Sequence, residues 1–172
     1  RAALAVTGVV RVRSSEPLAA IERSTAAGKL AINAGVPVSD GALSLVFPHA
    51  VTGAGYSSAL TLANTGSLPV TLTVAFGAST GALRLDPNGS ARLSIADFLG
   101  LPVDTIRAGA VRVTAQAPVF GGLTPALLGV LDIENSTGLV TMGSRPAATE
   151  FVFPHVAHGN GLFTGLAFAA GD

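Results

Sequence analysis

The sequence predicts an all-β protein made of antiparallel sandwich units, and three observations carry that prediction. Val, Ile, Leu and Thr supply the apolar content, aromatic residues reach only 5%, and 21 Gly and 10 Pro cut the chain into short runs, a mixture that favours strands over helices. Apolar and small polar residues alternate at period two through several of those runs, the signature of a half-buried strand. The tetrapeptide Val46-Phe47-Pro48-His49 recurs as Val152-Phe153-Pro154-His155, so a unit of strands and turns is repeated.

Taken in order, Arg1 to Val6 reads as a strand leading into the Gly8 block rather than as the tail of a signal peptide. Phe47 to His49 is expected to end a strand, because Pro48 has no amide hydrogen for a ladder and belongs at an edge or a strand end. Residues 51–55 then form a loop. Ser57 to Ala63 and Val70 to Phe76 alternate cleanly around Asn64-Thr65-Gly66-Ser67, which predicts a hairpin. Leu83 to Leu85 and Ala91 to Ile95 flank Asp86-Pro87-Asn88-Gly89, where Pro presets a turn dihedral and Asn-Gly accepts positive φ, so a second hairpin is expected. Ile95 to Leu101 has room for one helical turn before Pro102, and Ala110 to Thr114 is a strand. Ala126 to Ile133 is apolar on both faces, as an interior strand is, and Gly129 and Gly138 argue against a helix. The spacing of seven or eight short strands in this stretch fits an antiparallel sandwich.

The repeat extends past the tetrapeptide. Gly55, Leu60 and Ala63 recur as Gly161, Leu166 and Ala169 at an offset of 106, and Gly8 to Val12 followed by Pro17 recurs as Gly109 to Val113 followed by Pro118 at an offset of 101. Differences of loop length of this size are tolerated at low cost. The chain therefore divides into residues 1–45, the C-terminal part of a sandwich repeat; residues 46–151, a complete repeat; and residues 152–172, the N-terminal part of a further one. The partial units lack the equivalent of roughly residues 67–101, and are expected to be completed by neighbouring repeats or by strand addition from another copy.

Asn64 to Val74, followed by Leu85 to Leu93, resembles the immunoglobulin-like and fibronectin-like repeats of bacterial exported proteins, in the order strand, Asn-x-Gly, strand, Pro-x-Gly, strand. The series from Phe47-Pro48-His49 through Tyr56-Ser57-Ser58 to Asn64 is similar to an uncharacterised bacterial repeat family. The terminal copy departs from that pattern at Ala170, where the full copy has Asn64. The resemblance implies immunoglobulin-like β-sandwich architecture in an extracellular or cell-surface array; it implies no chemistry.

Composition excludes several function classes. Ten basic and ten acidic residues give a formal net charge of zero without a charged block, so nucleic acid and anionic membranes are not expected partners. No run reaches the roughly 18–20 apolar residues of a spanning helix. Absence of cysteine removes disulfides and thiol chemistry. Gly77-Ala78-Ser79-Thr80-Gly81 matches the G-x-S-x-G pattern, with Asp132 and His155 following in hydrolase order, but no long helix follows the serine and a hairpin turn is the better reading. His49 and His155 are equivalent positions beside a proline, and His155 and His158 lie in a Gly-rich loop, so structural roles outweigh metal ligation. Asp86 to Gly89 lacks the carboxylates of a calcium loop. No acid pair is selected by spacing for glycoside hydrolysis. The sequons at Asn88 and Asn135 read as turn residues.

No catalytic, cofactor or metal site is therefore expected. The expected function is a non-enzymatic structural repeat, a subunit of a surface filament or stalk that self-associates by strand complementation. Val46, Phe47, Tyr56, Leu60, Leu62, Val152, Phe153, Phe163, Leu166 and Phe168 are the expected contact residues. The alternative is an accessory adhesion module for polysaccharide or protein, with Tyr56 and Phe163 as aromatic platforms.

Overall fold

A computed structural model of the chain describes residues 10–16, 19–26, 28–116, 127–144, 150 and 166–169. Among these residues it is all-β with one short helix. A hairpin of β1 (Ile21–Ala26) and β2 (Lys29–Ala34) precedes eight further strands: β3 (Ser44–Thr52), β4 (Ser57–Asn64), β5 (Val70–Phe76), β6 (Ser79–Leu85), β7 (Ser90–Ser94), β8 (Arg107–Gln116), β9 (Leu127–Glu134) and β10 (Leu139–Gly143). These eight form two four-stranded sheets, ordered β10-β9-β4-β7 and β3-β8-β5-β6, with every neighbouring pair antiparallel. Their inner faces share one core, in which Leu45, Phe47, Leu72, Val74, Val111 and Val113 from one sheet meet Leu60, Leu62, Leu127 and Leu131 from the other.

Neither hairpin expected around Asn64 and Asn88 forms. β4 pairs with β7 and β9, and β5 pairs with β6 and β8, so each of these turns carries the chain from one sheet to the other. The alternation is as expected; the partner strands are not. A paired hairpin would place Leu60 and Leu62 beside Leu72 and Val74 on one face of one sheet; crossing over instead lets the two apolar faces cover each other. Asn64 builds both crossings. Its buried side chain donates from Nδ2 to the carbonyls of Leu68 (2.7 Å) and Asp86 (3.1 Å) and accepts from the Gly66 amide (3.0 Å), while its own amide donates to Gly89 O (2.9 Å). The turn chemistry at Asp86 to Gly89 is as expected, with Asn88 at φ 56 and Gly89 N donating to Asp86 O at 2.9 Å.

The true hairpins lie elsewhere. Gly77, at φ 60, and Ala78 join β5 to β6 with Phe76 opposite Ser79, so the G-x-S-x-G stretch is the two-residue turn it was expected to be. Asn135 organises the β9–β10 turn by accepting from Thr137 N (2.9 Å) and Gly138 N (2.8 Å).

Pro48 does not end a strand. β3 runs on to Thr52, and its register against β8 shifts between Phe47 and Ala50. The proline sits in a bulge on an edge strand, the other place where a missing amide costs nothing. The loop shrinks to Gly53-Ala54-Gly55, with φ of 83, 50 and 87. A Cβ on Gly53 would lie 2.1 Å from Thr105 O, so only glycine fits there. Because β3 starts at Ser44 and Leu45 is buried, the sandwich begins ahead of the expected boundary at Val46.

The expected helical turn is α1 (Ile95–Leu99). Ser94 caps it by accepting from Asp97 N, and Gly100 ends it at φ 63. It closes the side of the sandwich between β6 and β7, bringing Phe98 and Leu99 so close to Gly81 that a Cβ there would meet Phe98 Cε1 at 2.6 Å. β9 is interior, as its two apolar faces predicted, and Gly129 leaves the space that the Phe47 ring fills.

The pairing order departs from an immunoglobulin sheet, where the first strand lies beside the second and the seventh beside the sixth. Here β3 lies on β8, and β9 lies on β4. The two outer positions are exchanged.

Two stability measurements check this core. Replacing Asn64 by Ala strands two carbonyls and an amide at the crossings and should lower unfolding free energy by about 2–3 kcal/mol. Asn64→Asp should not rescue it, since a carboxylate would face the carbonyls of Leu68 and Asp86. Gly129→Ala would place a methyl 2.8 Å from Phe47 Cζ and 3.1 Å from Leu62 Cδ2, and should cost about 1–3 kcal/mol. Urea titration reads both, and a change under 0.5 kcal/mol in either would contradict the packing described.

Candidate assembly surface

The expected contact residues separate into three groups. Phe47, Leu60 and Leu62 are fully buried in the core, which corrects the expectation that they meet a neighbour. They occupy the inward positions of strands whose partner sheet was not known from the sequence. Val46 and Tyr56 remain at the surface, Val46 half-buried and Tyr56 38% exposed where its backbone pairs with Gly53 across the glycine loop. Leu166 and Phe168 are 48% and 68% exposed. Val152, Phe153 and Phe163 lie outside the described residues.

The edges of the sandwich differ in how they are protected. α1 closes the β6 and β7 side. The β1–β2 hairpin lies along β10, with Gly143 so near Val36 that a Cβ would stand 3.0 Å from Val36 Cγ2. Lys29, the single lysine, ties the hairpin down: its Nζ pairs with Glu134 Oε1 at 2.7 Å and also donates to the Asn135 carbonyl. Among the described residues no further strand pairs with the outer side of β3. Ala115 N donates to Leu43 O at 2.7 Å, so alternation turns the Leu45 and Phe47 backbone toward β8 and that of Ser44 and Val46 outward. Pro48 and the bulge then stop this edge after a few residues, which limits strand addition along it.

Among the described residues, chemistry-bearing side chains are not brought together. Asp132, the middle member of the hydrolase-like series, is committed to Arg92 Nη1 (2.7 Å) and to Thr141 Oγ1 (2.7 Å) on the outer face of its sheet. Ser79 opens β6, with no helix behind it. Between the β5–β6 turn and the start of β8 is an open hollow of about 620 Å³ that carries Arg107 and Arg112 and neither acid nor histidine. Among the described residues no three His, Asp or Glu side chains group as metal ligands, and no helix is long and apolar enough to cross a membrane. His49 is exposed on the bulge; His155 and His158 lie outside the described residues.

Sequence reasoning missed Lys29. The signal was present: Ile21-Glu22 with Ser24-Thr25 copies Ile133-Glu134 with Ser136-Thr137, marking the hairpin next to Lys29 as related to the β9–β10 turn it contacts.

No protein family and no curated protein matches the chain. Among solved structures it is similar to the crystal structure of Thermotoga maritima 1070, at 18% identity over 62% of this chain and 93% of that one, with a TM-score of 0.44. A likeness at that level carries no argument about fold or function.

Lys29 supplies a local test. With side-chain exposures of 16% and 37% for Lys29 and Glu134, the ion pair contributes on the order of 1 kcal/mol. Lys29→Met should speed amide hydrogen exchange in β1 and β2 roughly fivefold while leaving β4, β5 and β8 unchanged. Equal rates in the hairpin would remove Lys29 as its tie.

Proposed function

We propose that the chain is a non-enzymatic structural repeat of an extracellular array, a surface filament or stalk subunit that associates with neighbouring copies. One observation carries this reading. The sandwich runs from Ser44 to Ser144, and the repeated sequence returns at an offset of 106, with Val152 in the place of Val46. One sandwich therefore fills one sequence period, which is how tandem arrays are organised. The inner strands support an immunoglobulin-like kinship: β4 beside β7, and β5 beside β8, match the inner pairs of that fold, with the outer strands exchanged. Asp132, Arg92 and Thr141 are held in a surface network, which favours a structural over a catalytic use of this carboxylate.

A second reading is favoured by Tyr56 alone. As the single tyrosine, exposed beside a rigid glycine loop, it offers an aromatic face of the kind a sugar ring stacks on, and an adhesion module for surface polysaccharide or protein would use it.

Electron microscopy of the purified protein decides between them. A regular filament or a chain of evenly spaced bodies is expected, and Tyr56→Ala should leave it intact. Dispersed single particles at every concentration, with glycan-array binding lost in Tyr56→Ala, would overturn the array in favour of adhesion.

A further inference from the structure

We propose that the hollow at the start of β8 is a binding site for an acidic sugar residue, with Arg107 and Arg112 taking its carboxylate or sulfate group. The inference does not depend on the array: it holds for a single unit as for many.

The hollow exists because two strands end at different levels. β5 pairs with β8 only as far as Phe76 opposite Val111, whereas β3 follows β8 on to Arg107. Among the described residues, 107–110 therefore have a strand on one side and the Gly77-Ala78 turn on the other. No large side chain fills the gap, because its floor is Ala75, Gly77, Ala78, Ala108 and Ala110. The resulting space of about 620 Å³ falls in the range of about 300–1,000 Å³ usual for small-molecule sites.

Its charge is one-sided. Arg112 lines it from the outer face of the sheet, where it stands opposite Ala75, and Arg107 lines it from the end of β8. No acid or histidine is part of the lining. Arg107 is exposed and has no ion-pair partner among the described residues. Two guanidiniums on one open space favour an oxyanion, which a planar fork of N–H groups grips through paired hydrogen bonds.

The rest of the lining says what carries that anion. The Ser79 hydroxyl and the backbone of Ala108, which alternation turns away from β3, are partners for hydroxyl groups. Alanine methyls give the shallow apolar floor on which the C–H face of a ring rests. The uncovered stretch of β8 is shorter than an ordinary strand of about 5–6 residues, which disfavours an added peptide strand. A formal net charge of zero lacks the field that draws a nucleic acid. A sugar ring with one acidic group matches the combination. The site is also clear of the chain's connections. Ser44, opposite Thr114, opens the sandwich, and Ser144, donating to Gly129 O, closes it; both lie at the end away from Arg107 and Gly77.

A nuclear magnetic resonance titration of the full 172-residue chain tests the site. D-glucuronate and glucose 6-sulfate are the probes, with glucose and inorganic sulfate as controls. An acidic sugar should move the amide signals of Gly77, Ala78 and Ala108 saturably, with a Kd on the order of 1 mM, and the tighter of the two identifies the acid. Arg107→Gln should weaken binding about tenfold. Ala108→Leu, which keeps both arginines but fills the floor, should abolish it. Both positions are exposed, and unchanged thermal melting checks that the sandwich is intact. Tyr56→Ala should leave binding as it is. Glucose that binds as well as glucuronate removes the role of the arginines, and inorganic sulfate that binds as well as either sugar removes the ring; each overturns the proposal. So do an absence of saturable shifts, and binding that is lost in Tyr56→Ala but kept in Arg107→Gln. None of these outcomes bears on filament formation, which micrographs decide separately.

Discussion

The fold depends on Asn64. It is one of four buried polar residues among those described, and it stands where the chain twice leaves one sheet for the other. Crossing between sheets strands backbone carbonyls and amides that a hairpin would have paired. Each such group, buried without a partner, costs about 1–3 kcal/mol. One side chain with two donor hydrogens and an acceptor oxygen serves both crossings, holding Leu68 and Gly66 on one side and Asp86 on the other. The apolar faces of β4 and β5 can then turn toward each other, and the core closes between them.

From that closed core follow the properties of the surface. Strands that alternate strictly send their large residues inward, which leaves the outer faces to Thr, Ser, Ala and a few arginines. Packing therefore consumes the largest side chains of the sandwich's inner faces. The edges are treated unequally: a helix at β6 and β7, a tied hairpin at β10, and at β3 a proline bulge that allows only a short open stretch. Such unequal protection gives the unit distinct sides.

Copies of the same residues behave differently according to their neighbours. Ala110 to Val113 belong to a strand because β3 and β5 flank them. Val10 to Arg13, with the same Val-Arg-Val, form no strand. β-structure is held by cross-strand partners and buried faces more than by intrinsic preference, so the repeat in the sequence does not by itself reproduce a repeat in the structure.

The sequence by itself determined that the chain is all-β, that α1 sits between Ile95 and Leu101, that Gly77-Ala78 is a turn, that β9 is interior, and which residues of an alternating strand share a face. Each of these is set by local chemistry: a period of two, a positive φ, a cap, an absence of charge. Only the tertiary structure decided which strands pair, why Phe47, Leu60 and Leu62 are core rather than contact residues, and that Pro48 bulges a strand instead of ending it. A turn of Asn, Gly and Pro reverses the chain equally well within a sheet or between sheets. The choice is made by whichever arrangement covers Leu60, Leu62, Leu72 and Val74 from water, and that depends on residues far apart in the chain.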